Sequence, residues 1–147
     1  MAASAFRVYN EAKQKMLNGS IDLDAATLRM ALMKSNSNAS TFTLSTFASV
    51  TNAVSGGGYT GVKSLTASMI AGANASTYKF TFANVVYTAS GADITSIMYA
   101  VIYVSGGAVI TWSKLSTAAF TVTSGNTLTI AANATGGAFT ISGGASA

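Results

Sequence analysis

"ITSIMYAVIYV", residues 94–104, decides how the rest of the chain is read. Its apolar residues do not alternate with polar ones, so a strand here has two apolar faces. Such a strand belongs in the middle of a sheet that is covered on both sides. The stretch is also long enough for a helix, but Ile97, Val101, Ile102 and Val104 are β-branched and favour extended backbone. Ser105-Gly106-Gly107 follows at once and turns the chain into "AVITW" (108–112), a hairpin partner. Residues 94–104 are therefore read as a central strand.

Working outward, the flanking segments read as half-buried strands of period two. Tyr78, Phe80 and Phe82 alternate with Lys79 and Thr81. Phe120 and Val122 alternate with Thr121 and Thr123, Leu128 and Ile130 with Thr127 and Thr129, and Phe139 and Ile141 with Thr140 and Ser142. Each has one apolar face and one hydroxyl face. Nearer the start, "TLRMALMK" (27–34) puts Leu28, Met30 and Leu32 on one side and Arg29, Ala31 and Met33 on the other. "SNSNAST" (35–41) is a polar loop, "LSTFASVTN" (44–52) fits a short helix, and "SGGGYTG" (55–61) is a glycine loop.

The N-terminus has a different period. In "SAFRVYNEAKQKML" (4–17), Phe6, Tyr9, Lys13, Met16 and Leu17 fall near a spacing of 3.6. Glu11 and Lys15 form an i, i+4 pair in the favourable order, Ser4 is a candidate N-cap, and Asn18-Gly19 is a stop. A helix is expected over 4–18. So short a helix must dock its apolar face to persist. The expected fold is mainly β: an antiparallel β-sandwich or jelly roll of about seven to nine strands with one N-terminal α-helix. Its 147 residues suit a single domain, with the sandwich body over 26–142.

Only 8% of the residues are charged, against about 25% in an average chain. The placement is uneven: Arg7, Glu11, Lys13, Lys15, Asp22, Asp24, Arg29 and Lys34 come early, and Lys63, Lys79, Asp93 and Lys114 are scattered singly. The net charge of +4 is not gathered into a basic stripe, which argues against nucleic acid as a partner. No apolar run is long enough to span a membrane as a helix. With no His and no Cys, the usual zinc ligands are missing, and the four acids are a weak basis for acid–base catalysis. Asp22 and Asp24 are read as turn builders or partners of Arg29. The expectation is a protein with no catalytic residues, no cofactor and no metal.

Faces of Thr, Ser and Ala lose water cheaply, because no full charge has to be desolvated. They suit a surface covered by copies of the chain or by a larger assembly; the alternative is a monomer kept soluble by its hydroxyls. The aromatic residues Tyr59, Tyr87, Tyr99, Tyr103 and Trp112 are either core residues, the favoured reading, or exposed platforms for stacking on sugars.

The order of several segments adds a resemblance. "NEAKQKMLNGSIDLDAATLRMALMKS" (10–35), "FASVTNAVSGGGYTG" (47–61) and "MYAVIYVSGGA" (98–108) are followed by the strands of Phe120, Leu128, Ile130 and Phe139. In that sequence they resemble a family of small structural proteins of tailed-bacteriophage virions. Ala53 stands where the family commonly has an acid, and Ser and Thr replace many family acids in the later strands. The resemblance implies a capsid cement or decoration protein on the exterior of the virion, made in the cytoplasm of a bacterial host. Its partners would be the major capsid protein and further copies of itself, as a dimer or trimer. Because the early charges are the chain's one sizeable cluster, Arg7, Lys13, Lys15, Arg29 and Lys34 are the candidate contacts to the capsid. The alternative function is a tail-fibre or receptor-binding module that recognises host glycans.

Overall fold

The computed structural model describes residues 4–72, 74 and 76–142. Among them the elements run β1 (Arg7–Val8), α1 (Asn10–Leu17), β2 (Leu28–Lys34), β3 (Lys63–Ser64), β4 (Ala67–Ala71), β5 (Thr77–Phe82), β6 (Val85–Thr88), β7 (Ile94–Val104), β8 (Val109–Lys114), β9 (Phe120–Val122), β10 (Thr127–Ile130) and β11 (Phe139–Ser142). The main sheet has the order β1-β8-β7-β2-β3, with β9 also paired to β7. A second layer holds the three strands β11-β5-β4 and the pair β10-β6. All the pairings are antiparallel. The layered, mainly β architecture with one helix is the expected one. The pairing divides six, three and two, and does not by itself establish the two Greek-key sheets of a jelly roll.

The 94–104 stretch is β7, flanked by β2 and β8 in the middle of the main sheet. The register sorts its neighbours into two faces. Ala31, Val101 and Trp112 share one face with Met33, Tyr99 and Tyr103. Met30, Ile102 and Thr111 share the other with Leu32, Ala100 and Ser113. Segment 36–54 closes the first face: Phe47 stacks on Tyr103 with centroids 3.8 Å apart, and Phe42 meets Trp112 edge-on at 5.7 Å. The second layer closes the other face, where Phe6 meets Phe82 edge-on at 5.6 Å. From the second layer, the Tyr87 hydroxyl donates to the Met30 carbonyl (2.7 Å), and Tyr59 from the loop before it accepts from the Leu32 amide (3.5 Å). Both faces of β2 are thus buried, as well as both faces of β7, and its period-two pattern marks two apolar environments. Only Thr95 and Ser96 of β7's first half are bare. They lie in a bulge between Ile94 and Ile97, with Ser96 in the left-handed region (φ 61).

The helix expected over 4–18 is confined to Asn10–Leu17. Residues 4–9 are extended because the edge of β8 offers them partners. Ser4 N–H donates to the Lys114 carbonyl (2.7 Å), Lys114 N–H donates to Ser4 Oγ (3.0 Å), and β1 pairs with Trp112 and Thr111. The hydroxyls of Thr111 and Ser113 are buried yet satisfied, donating to the carbonyls of Arg7 (2.8 Å) and Ser4 (2.7 Å). Ser4 therefore caps no helix. Tyr9 is extended (φ −66, ψ 149), donates its N–H to the Ile110 carbonyl (3.1 Å), and sends its buried hydroxyl to the Ala39 carbonyl. The Glu11–Lys15 pair forms at 2.8 Å, and the helix ends at Asn18-Gly19. Of the short helix expected over 44–52 there is one 3-10 turn, Phe47–Ser49.

The glycine loop is built for close approach. A Cβ on Gly58 would lie 1.8 Å from the Ala92 carbonyl oxygen, and the Gly58 N–H donates to the Asp93 carbonyl (3.1 Å). Gly58→Ala is expected to cost about 1–3 kcal/mol by overpacking against backbone, measured by urea unfolding. Burial pushes the Tyr9 and Tyr87 phenols well above the ordinary tyrosine range. In the unfolded chain they ionise near pH 10, so above that pH the unfolded state holds fewer protons than the folded one. Their contribution is complete below about pH 10 and declines as pH climbs toward the folded values. Tyr87→Phe is expected to lower stability by about 1 kcal/mol at pH 8 and to make the alkaline decline shallower.

Candidate functional site

The five basic residues singled out in the sequence do not all share one patch. Arg7 on β1 is exposed and lies across from Trp112, which lies across from Val101, which lies across from Ala31. Three strand spacings, about 14 Å, separate Arg7 from β2. Arg29 and Lys34 stand at opposite ends of β2, about 17 Å apart along the strand. Arg29 is half-buried beside Tyr103, with its Nε buried and unpartnered among the described residues. Burial raises the Tyr103 phenol, and the Arg29 guanidinium pulls it part of the way back. Lys15 is paired with Glu11. Arg7 and Lys13 remain as exposed cations near the start, and the Lys13 Nζ sits 6.0 Å from the centroid of Phe42. Asp22 builds a turn, its Oδ1 accepting from the N–H groups of Asp24 (3.0 Å) and Ala25 (3.4 Å).

The proposed sugar platforms are mostly core. Tyr87, Tyr99, Tyr103 and Trp112 are all less than a tenth exposed, and Tyr59 is half-buried and stacked on Tyr87. Their rings fill the space between layers, which an exposed platform could not do. A cavity between β8 and β10 is lined by Ser4, Phe6, Ser113, Leu128 and Ile130 among others, and none of its lining side chains titrates.

The surface that stands out is apolar. In the β4-β5-β11 sheet, Met69, Phe80 and Phe139 form one cross-strand row, and Ala71, Tyr78 and Ile141 the next. Both rows are on the same face, about 7 Å apart along the strands. Phe80 is buried at 2% exposure, but Tyr78 is 63% and Ile141 61% exposed. The face therefore runs out past the layer beneath it. Across from the overhang stand Met16 and Leu17 at the end of α1, Leu17 being 87% exposed, followed by Ile21. Two adjoining grooves, of about 320 and 390 Å³, run between these sides and share Met16 and Ile141. Lys13 lines one of them and Asp22 the other. Contiguous bare apolar surface of this kind marks a place of association.

Sequence reasoning assigned Tyr78 and Ile141 to the inward face of their strands, and that parity is right. The missing information was where the covering layer ends. Comparison with protein-family models, with curated proteins and with solved structures finds no match for the chain. Replacing both Tyr78 and Ile141 with Ser is expected to change stability by no more than about 0.5 kcal/mol per site. The double variant should lose most of its binding of a hydrophobic dye such as ANS, read by fluorescence.

Proposed function

We propose that this chain is a non-enzymatic structural protein of a tailed-bacteriophage virion: a decoration protein that sits outside the shell, contacts the major capsid protein and associates with its own copies. The observation that carries the reading is the bare strip of Met69, Tyr78, Ile141 and Leu17 on a body whose other outward faces are mostly uncharged. The outer sides of β5, β10 and β11 carry Thr77, Thr81, Thr127, Thr129, Thr140 and Ser142, with Lys79 the single charge among them. Such faces are covered at little desolvation cost. The order of N-terminal, glycine-loop and central-strand segments, which resembles that of phage virion proteins, supplies the setting.

Clamping a shell needs no reactive group. A subunit that touches two neighbours gains avidity through effective concentration, even when each contact is weak. Arg7 and Lys13, the exposed cations near the start, would set register on the shell more than affinity. Particles stripped of this protein are expected to melt at a lower temperature than decorated ones in scanning calorimetry, because a ligand of the folded shell stabilises it. Arg7→Ala with Lys13→Ala should reduce capsid occupancy and weaken its salt dependence. Equal melting with and without the protein would refute a cement role. A copy number of a few per particle, together with retention on a glycan array, would instead assign it to a fibre.

A further inference from the structure

The self-association in that reading can be assigned to one strand. Among the described residues, β4 is an edge of its sheet, and β5 is its one partner. The ladder to β5 shows which backbone groups are used. Gly72 N–H donates to the Thr77 carbonyl (2.8 Å), and Ala83 N–H donates to the Thr66 carbonyl (2.9 Å). In an antiparallel pair the bonded residues alternate, so Thr66, Ser68, Ile70 and Gly72 turn their backbone groups toward β5. Ala67, Met69 and Ala71 turn theirs outward, and no hydrogen bond to these groups is made among the described residues. Ser68, Met69, Ile70 and Ala71 are all exposed. The strand carries none of the usual edge defences: no Lys, no Pro and no bulge.

We propose that β4 is the seam of a twofold dimer, in which β4 of a second copy pairs with it antiparallel, Met69 opposite Met69. The free groups are symmetric about Met69, so this register leaves none idle. Ala67 pairs with Ala71 of the second copy, Met69 with Met69, and Ala71 with Ala67. Three outward residues per copy, each with one donor and one acceptor, give six hydrogen bonds across the seam. The strand "ASMIA" has no charge, so identical copies meet without repulsion. The nearest cation on the neighbouring strand, Lys79, is held by the carbonyls of Ala134 (2.9 Å) and Thr135 (3.3 Å). A twofold axis normal to the sheet keeps the apolar faces of both copies on one side. The Met69 side chains then meet, and the two bare strips join across a sheet of six strands. On the hydroxyl face, Ile70 gains Ser68 of the second copy as its neighbour.

The inference rests on the self-association half of the proposed function and is separable from the capsid half. A dimer that ignores the shell upholds the seam and sinks the decoration role, whereas a shell-binding monomer does the reverse. The test is sedimentation equilibrium of the full chain over a concentration series, with hydrogen exchange at the ends of the range. The expected result is a reversible dimer, with amide protection at Ala67, Met69 and Ala71 that rises with concentration. Met69→Pro deletes an outward N–H and leaves the β5 ladder intact, so it should keep the far-UV circular dichroism and weaken dimerisation at least about tenfold. Ser68→Pro removes an N–H that faces β5 and should lower the melting temperature instead. Should Met69→Pro fold poorly, Met69→Lys places like charges across the axis and should give a monomer at low salt. A wild-type monomer, a trimer, protection at another surface, or a folded Met69 variant that dimerises like the wild type would overturn the proposal.

Discussion

The structure depends on β7 being covered on both sides. A strand in that position satisfies its backbone through β2 and β8, and its side chains through two separate apolar layers. Ile97, Val101 and Ile102 have no exposed surface, and a fully buried side chain of that size contributes about 1.5–3 kcal/mol over an exposed one. The layers are keyed to the sheet by tyrosine hydroxyls as well as by packing. Tyr87 and Tyr59 both end on the backbone of β2, and Tyr9 ends on the segment that covers the opposite face. A phenol brings a large apolar ring and one polar atom that must find a partner, so it fixes both the spacing and the register of what it joins.

The same covering explains the modest role of charge. The strands that would carry a sandwich's outward charges are here enclosed or coated with hydroxyls, and most ionic groups lie on the helix, the turns and the strand ends. Arg29, held half-buried beside Tyr103, and Lys79, within β5, are the exceptions. Cations spread over three strand spacings act as separate points, not as one electrostatic surface. Arg7, Arg29 and Lys34 form a cluster in sequence only.

The surface proposed for association lies in a different place, where the second layer outgrows its support. The β4-β5-β11 sheet keeps one apolar face along its length, but the core beneath covers only the Phe80 and Phe82 end. The next row projects over a groove bordered by the end of α1. The sheet also ends in a strand whose outward backbone groups have no partner among the described residues. A strand paired to that edge would cover Met69 and extend the bare face of Tyr78 and Ile141 across the seam.

The sequence by itself determined what depends on near neighbours. The β-branched run of β7, the Ser105–Gly107 turn into β8, the alternation of β5, β9, β10 and β11, the Glu11–Lys15 pair and the Asp22 turn all follow from contacts within a few residues. The tertiary structure alone decided the rest. Residues 4–9 have a helical spacing but are drawn out by the edge of β8, more than a hundred residues away. β2 alternates like a half-exposed strand yet is buried on both sides, since segment 36–54 folds over it. β4 and β6 have too few distinctive residues to be read before their partners are known. Tyr78 and Phe80 carry the same parity and the same kind of side chain, and one is bare while the other is buried. Periodicity says which way a side chain faces, and only the packed chain says whether anything lies there to cover it.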